Sequence, residues 1–198
     1  MDKIYPIKEY GQSTYLTCLS ACFLMLRKYF EKDLAYSKEL ELEEFVNALK
    51  LERDFYQIGF IKSSEDNGYT TTFITEIPEI NTLLISLKKK HTLNTNVILE
   101  TITLKSIKKT LVDAYSPIIV FIDQYPLSNY VRTQHYIVVY GFDRDNIYIV
   151  EPWYGKKMKV SNIVFQKTLD SLRDNLYCGV QIIYINNAIP GKPLTDSE

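Results

Sequence analysis

Cys18 opens a nearly continuous apolar run, and Gln12 stands six residues before it in the stretch GQSTYLTCLSACFLMLRKYF. A helix that only fills a core needs neither residue. A thiol nucleophile uses both. The first turn of a helix presents unpaired N–H groups and the positive end of the helix dipole, which favour thiolate over thiol. When a thiolate attacks a carbonyl, negative charge develops on the oxygen. The Gln12 amide, on the loop leading into the helix, could receive that charge together with the Cys18 N–H. One such donor contributes on the order of 3 kcal/mol.

A nucleophilic thiol needs a base, and the chain has two histidines. His91 follows Lys88, Lys89 and Lys90 and reads as a solvated cap at a helix C-terminus. His135 opens the strand-like run HYIVVYGF after the polar segment SNYVRTQ. Glu151 closes a second such run, IYIVEP, and a hairpin turning at Asp143–Asn146 returns it towards His135. A carboxylate there can accept from one imidazole nitrogen, fix the tautomer and stabilise the imidazolium. Taken singly, each residue has an ordinary structural use: a satisfied histidine, a surface acid, a loop glutamine. Their order along the chain is what points to nucleophilic catalysis by Cys18, His135, Glu151 and Gln12. Cys22, one turn deeper, and Cys178, within LYCGVQIIYI, read as core thiols. Cys18 and Cys22 lack the ligand spacing of a closed zinc site, so no metal and no cofactor is expected.

These residues need elements to hold them. Residues 18–30 read as a helix that is apolar nearly all round and belongs inside the protein. Residues 37–50 read as an amphipathic helix capped by Ser37, with Leu40, Leu42, Phe45, Val46 and Leu49 facing inward. The segment 51–75 reads as irregular and polar. Helices follow at 78–90 and 103–115, the second ending before Pro117. The period then changes: PIIVFID at 117–123, HYIVVYGF at 135–142, IYIVEP at 147–152, MKVS and GVQIIYI are strands. Helices first and antiparallel strands after give an α+β class, with a buried nucleophile helix packed on an antiparallel sheet. One domain over 1–186 and a loose tail at 187–198 are expected.

With 198 residues, 46% apolar and 24% charged, the composition is that of a globular protein. A net charge of −1 gives no reason to expect a nucleic acid or a charged membrane surface as partner. The start, MDKIYPIKEYGQ, does not read as a signal peptide, and no apolar run is long enough to span a bilayer. Three cysteines in such a chain suggest free thiols and a cytoplasmic location.

The residues above resemble those of a papain-like cysteine peptidase, in the branch of bacteriocin-leader (double-glycine) peptidases and their stand-alone relatives. The resemblance rests on Gln12 six residues before Cys18, the helix continuing as SACFLML, the strand SPIIVFID, the strand HYIVVYGFD, and the pair Glu151-Pro152 followed by WYGKKMKVS. It covers the first 30 residues and roughly 103–165. It implies Cys18 as nucleophile, His135 as general base and acid, Glu151 as orienting carboxylate and Gln12 in the oxyanion hole. Two positions depart from the family pattern. Leu19 stands where the family usually has Gly, and is expected to narrow the site or alter which substrates it accepts. Glu151 stands where Asp or Asn is usual, and demands a small shift in strand register or ring position.

The expected function is that of a thiol hydrolase acting on a peptide or protein through an acyl-enzyme. The same machinery would serve an acyltransferase, transglutaminase or deamidase. A papain-like module that binds a peptide without cutting it is the alternative of a different class. The segment 54–72 is expected to act as a lid or substrate-selecting element.

Overall fold

The structure, a computed structural model, describes residues 2–187. All but the first residue of the expected tail, 187–198, lies outside the described residues. Eight strands form one sheet: β1 (Lys3–Ile4), β2 (Tyr69–Thr75), β3 (Asn96–Leu99), β4 (Ile118–Asp123), β5 (Gln134–Phe142), β6 (Asn146–Glu151), β7 (Lys156–Ser161) and β8 (Gln181–Asn187). Their order is β3-β2-β8-β4-β5-β6-β7, with β1 added against β5. Only β2 and β3 run parallel among these pairs; every other pair is antiparallel.

Seven helices accompany the sheet among the described residues: α1 (Cys18–Phe30), α2 (Lys38–Leu51), α3 (Gln57–Asp66), α4 (Pro78–Lys90), α5 (Leu104–Asp113), α6 (Tyr125–Ser128) and α7 (Asn162–Leu176). β4 is buried at all six positions, which requires cover on both faces of the sheet. α1 packs on β4, β5 and β8, while α7 packs on β4, β6 and β7. α1 is buried along almost its whole length, as its all-round apolar sequence demands. Local signals set the element ends: Ser37 Oγ accepts from the Leu40 N–H at 3.0 Å, and Thr103 and Ser106 form a capping box on α5. The α+β class stands as expected.

Several details differ from the sequence expectation. Residues 51–75 are not irregular: they form α3 and the whole of β2, a strand flanked by β3 on one side and β8 on the other. β2 reads YTTTFIT, and its threonines made it look polar. Thr71, Thr72 and Thr75 are nevertheless buried, because β-branched side chains suit an interior strand once their hydroxyls are shielded. α3 is a packed element and not a lid. Ile58, Gly59, Phe60 and Ile61 are buried, and a Cβ on Gly59 would lie 2.2 Å from the Ala48 Cα on α2. α7 interrupts the strand series between β7 and β8.

α2 also turns a different face inward. Leu42 and Val46 are exposed, whereas Glu41 and Ala48 are buried. Positions 41, 45 and 48 have the same helical spacing as 42, 46 and 49, so periodicity alone does not choose between them. Two neighbours choose. Ala48 is small enough for α3 to approach through Gly59, and donors from residues 10–13 meet the Glu41 carboxylate.

Candidate active site

Cys18 is the first residue of α1 and is 7% exposed. The preceding residue, Thr17, does not cap the helix with its side chain. Its hydroxyl turns back and donates to the Thr14 carbonyl at 3.0 Å. Among the described residues, the N–H groups of Cys18, Leu19 and Ser20 therefore have no acceptor. An uncapped, apolar helix start beside a thiol is a place where negative charge is favoured.

His135 is the second residue of β5, opposite Ile122 of β4, and is 2% exposed. Its Nε2 lies 2.7 Å from Glu151 Oε1. When Nε2–H donates to that carboxylate, Nδ1 becomes the basic nitrogen, available to the Cys18 thiol. Burial pulls the imidazole pKa down. Hydrogen bonding with Cys18 and Glu151, and the charge of both, outweigh that pull and push it up to about 9.

Glu151 ends β6 and is 3% exposed. The β5–β6 register pairs Val138 with Val150. One step further along, Glu151 falls opposite Ile137, with His135 diagonally across on the same face of the sheet. Diagonal neighbours lie about 7–8 Å apart at the backbone, so a glutamate spans the gap that the sequence pattern would leave to a shorter acid. The carboxylate is fixed from its other side by the turn that follows. The Trp153 N–H donates to Oε1 at 2.8 Å and the Tyr154 N–H to Oε2 at 3.1 Å. The Trp153 indole meets the imidazole edge-to-face at 6.4 Å, covering the ring.

The strand entry is fixed as well. Asp123, fully buried at the end of β4, accepts from the Tyr125 and Thr133 N–H groups and from the Ser171 hydroxyl. These bonds close the SNYVRTQ segment against α7, and the chain then enters His135 in a set direction.

Gln12 is half-buried. Its backbone N–H donates to the Pro152 carbonyl at 2.7 Å, tying its loop to the turn after Glu151. Its Nε2 donates to the Thr14 carbonyl at 2.6 Å, leaving the second N–H of the amide uncommitted. Its Oε1 is buried without a partner among the described residues. The structure thus brings Cys18, His135, Glu151 and the Gln12 loop together.

The other titratable candidates lie apart. Cys22 is fully buried; burial first, then the charges of Cys18 and Glu151, raise its thiol well above the ordinary range, so it stays protonated. Cys178 is not a strand-core thiol: it sits half-buried ahead of β8, accepting from Gln134 Nε2 at 2.8 Å. His91 caps α4 as expected but is not solvated: its side chain is largely buried, with Nε2 3.2 Å from Glu52. No group of three or more metal-ligating side chains exists among the described residues. No helix among them is long and apolar enough to cross a membrane.

The model of the Peptidase_C39 like family matches residues 4–173. The chain belongs to this family. It is a cysteine peptidase-like hydrolase. No curated protein matches it. Among solved structures it is similar to a double glycine motif protease from an AMS/PCAT transporter, crystallised in complex with the leader peptide. Identity is 17%, the match covers 93% of this chain and 97% of that one, and the TM-score is 0.51. At that identity the likeness establishes the fold, which is papain-like.

In this Peptidase_C39-like chain one expectation from the sequence is corrected and one feature went unread. Leu19 does not narrow the approach to the thiol, because its side chain is fully buried in the core. Glu41 is also fully buried, and it gathers the Gln12 loop: Tyr10 OH donates to it at 2.8 Å, the Ser13 N–H at 2.8 and 3.1 Å, and the Ser13 hydroxyl at 2.5 Å. The signal was present as an acid at the helical spacing of Phe45 and Ala48, but nothing local says that donors would come to meet it.

Proposed function

We propose that this protein cleaves a peptide or amide bond in a peptide or protein substrate through a Cys18–His135–Glu151 triad. The observation that carries the reading is the 2.7 Å contact between His135 Nε2 and Glu151 Oε1, which leaves Nδ1 to the thiol at the start of α1. His135 Nδ1 holds the proton taken from Cys18, as an imidazolium beside the thiolate, and the thiolate attacks the scissile carbonyl carbon. The C–S bond forms as the carbonyl π electrons move to oxygen. The Cys18 N–H and the uncommitted N–H of Gln12 receive the oxyanion. The tetrahedral intermediate collapses, the C–N bond breaks, and the imidazolium gives its proton to the leaving amine. His135 then deprotonates a water, which displaces the thiolate and releases the acid.

The surroundings suit a peptide. Tyr15 and Leu16 lie just before the thiol, and Trp153 and Tyr154 just after Glu151; all four are exposed apolar side chains beside buried reactive groups. The double glycine motif protease with the same fold was solved with a leader peptide, and a peptide ligand is carried over here on that basis.

The test is the rate of iodoacetamide labelling of each cysteine against pH, by mass spectrometry, in wild type and His135→Ala. Cys18 is expected to label far faster than Cys22 and Cys178, with reactivity persisting well below pH 8 and lost in His135→Ala. A Cys18 that labels no faster than Cys22 and Cys178, or as fast in His135→Ala as in wild type, removes the physical basis of the reading. With the first outcome, a fluorogenic peptide library identifies the bond that is cut.

A further inference from the structure

Glu41 is a carboxylate with no exposure at all, on a helix that takes no part in the triad. A buried acid is expensive unless donors surround it. Here every donor comes from the segment that carries Gln12: Tyr10 from one side, and the Ser13 N–H and hydroxyl from the other. Tyr10 remains a donor throughout the working range, because burial first and the Glu41 contact next push its pKa up to about 12. The main chain of Glu41 reaches the nucleophile helix too, its carbonyl accepting from Ser20 Oγ at 2.7 Å. One residue of α2 thus holds both the loop before the thiol and the helix that bears it.

We propose that Glu41 is the positioning residue of the oxyanion hole, holding Gln12 at its working distance from the Cys18 N–H. The proposal rests on the catalytic reading above. Gln12 otherwise has two anchors, the Pro152 carbonyl and the Thr14 carbonyl, and both lie on connections between elements. Thr14 is held at the start of α1 by hydrogen bonds with Thr17, and Glu41 adds a tie to a second helix, α2. Without Glu41, the loop keeps its threads to Pro152 and Thr17 but loses the carboxylate that fixes Tyr10 and Ser13 on either side of Gln12.

Two reagents separate this role from a general effect on the thiol. Iodoacetamide alkylates sulfur by displacing iodide at a saturated carbon, so no oxyanion forms. N-acetylglycine p-nitrophenyl ester acylates sulfur through a tetrahedral oxyanion, and the nitrophenolate burst reports that step. In Glu41→Gln, the burst rate is expected to fall towards the roughly 100-fold loss that removal of one oxyanion donor causes, while Cys18 alkylation changes less than about twofold. Tyr10→Phe and Ser13→Ala each delete one donor and leave the carboxylate in place; they give smaller falls of the same kind and serve if Glu41→Gln does not fold. In Gln12→Ala the burst falls similarly, and adding Glu41→Gln causes little further loss, because the group being positioned is already gone.

Parallel falls in burst and alkylation would make Glu41 a purely structural residue and overturn the proposal. So would losses in Gln12→Ala and Glu41→Gln that multiply, or a burst unchanged in Glu41→Gln. A wild type that gives no burst at all overturns the catalytic reading itself, and the positioning role falls with it.

Discussion

Gln12 and Pro152 are joined by a backbone hydrogen bond of 2.7 Å, although one precedes the thiol and the other follows Glu151. Gly11 and Gly155 make the contact possible. Gly155 has φ +60°, and a Cβ there would lie 2.8 Å from the Gly11 nitrogen and 3.0 Å from its Cα. The loop carrying the candidate oxyanion donor and the turn fixing the candidate orienting acid are therefore one packed unit. A change in either turn is felt on both sides of the thiol.

Gly155→Ala tests this coupling. A left-handed conformation costs a non-glycine residue roughly 1–2 kcal/mol, and the clash with Gly11 adds to it. The expected outcome is a melting temperature lower by several degrees, at about 2–4 °C per kcal/mol for a chain of this size. Acyl-enzyme formation falls with it, measured as a nitrophenolate burst. A variant with unchanged stability and unchanged burst would show that the two loops do not depend on each other.

Loss of His135 or of the thiol has a sharper expected effect. Cys18→Ala abolishes acylation. His135→Ala is expected to lower peptide cleavage by about 10⁴-fold, since the proposed mechanism sends both proton transfers through one ring. Retention of near-normal cleavage by His135→Ala, measured on any peptide the wild type cuts, would assign the base elsewhere.

The pH dependence follows from the direction of the His135 shift. Its pKa stands at about 9, above the ordinary 6.5, so the ring keeps its proton until the pH rises through about 9. In the proposed mechanism protonation of the leaving amine needs that proton, and kcat/KM on an amide substrate is expected to fall above pH 9. The same sign applies to stability: the contribution of the raised group is full below about pH 6.5 and is lost as the pH climbs through 9. Glu151→Gln removes the partner charge, and the alkaline limb should move down by about one unit or more. A limb that stays at 9 in Glu151→Gln would mean that the carboxylate does not govern the imidazole.

Gly59→Ala probes the α2–α3 contact. The added Cβ would meet the Ala48 backbone at 2.2 Å, with no flexible side chain to move aside. Overpacking of this kind costs about 1–3 kcal/mol, and here the helices must part. Because Glu41 lies on α2, the melting temperature and the acylation burst should drop together. Thermal melting alongside burst kinetics measures both.

Much of this protein was legible along the chain. The all-round apolar run after Cys18 allows only a buried helix. Ser37 and Thr103 mark helix starts by their own hydroxyls, and the runs read as strands at 117–123, 135–142 and 147–152 fall on β4, β5 and β6 to within a residue at each end. Even the meeting of His135 and Glu151 follows from local features, since a four-residue turn at Asp143–Asn146 folds one strand end back on the other. These are short-range facts, set by side-chain type, backbone geometry and a period of two or 3.6.

Only the tertiary structure decided the rest, for a single reason: burial depends on what arrives from elsewhere in the chain. Nothing within α2 says that Glu41 goes in while Leu42 and Val46 stay out; donors 28 and 31 residues away say it. β2 looked too polar for an interior strand until β3 and β8 paired with its backbone and α3 and α4 packed on it. Gly59 and Gly155 were unremarkable glycines until Ala48 and Gly11 came within contact. Residue types named the candidate chemistry, and long-range packing set how the loop that serves it is held.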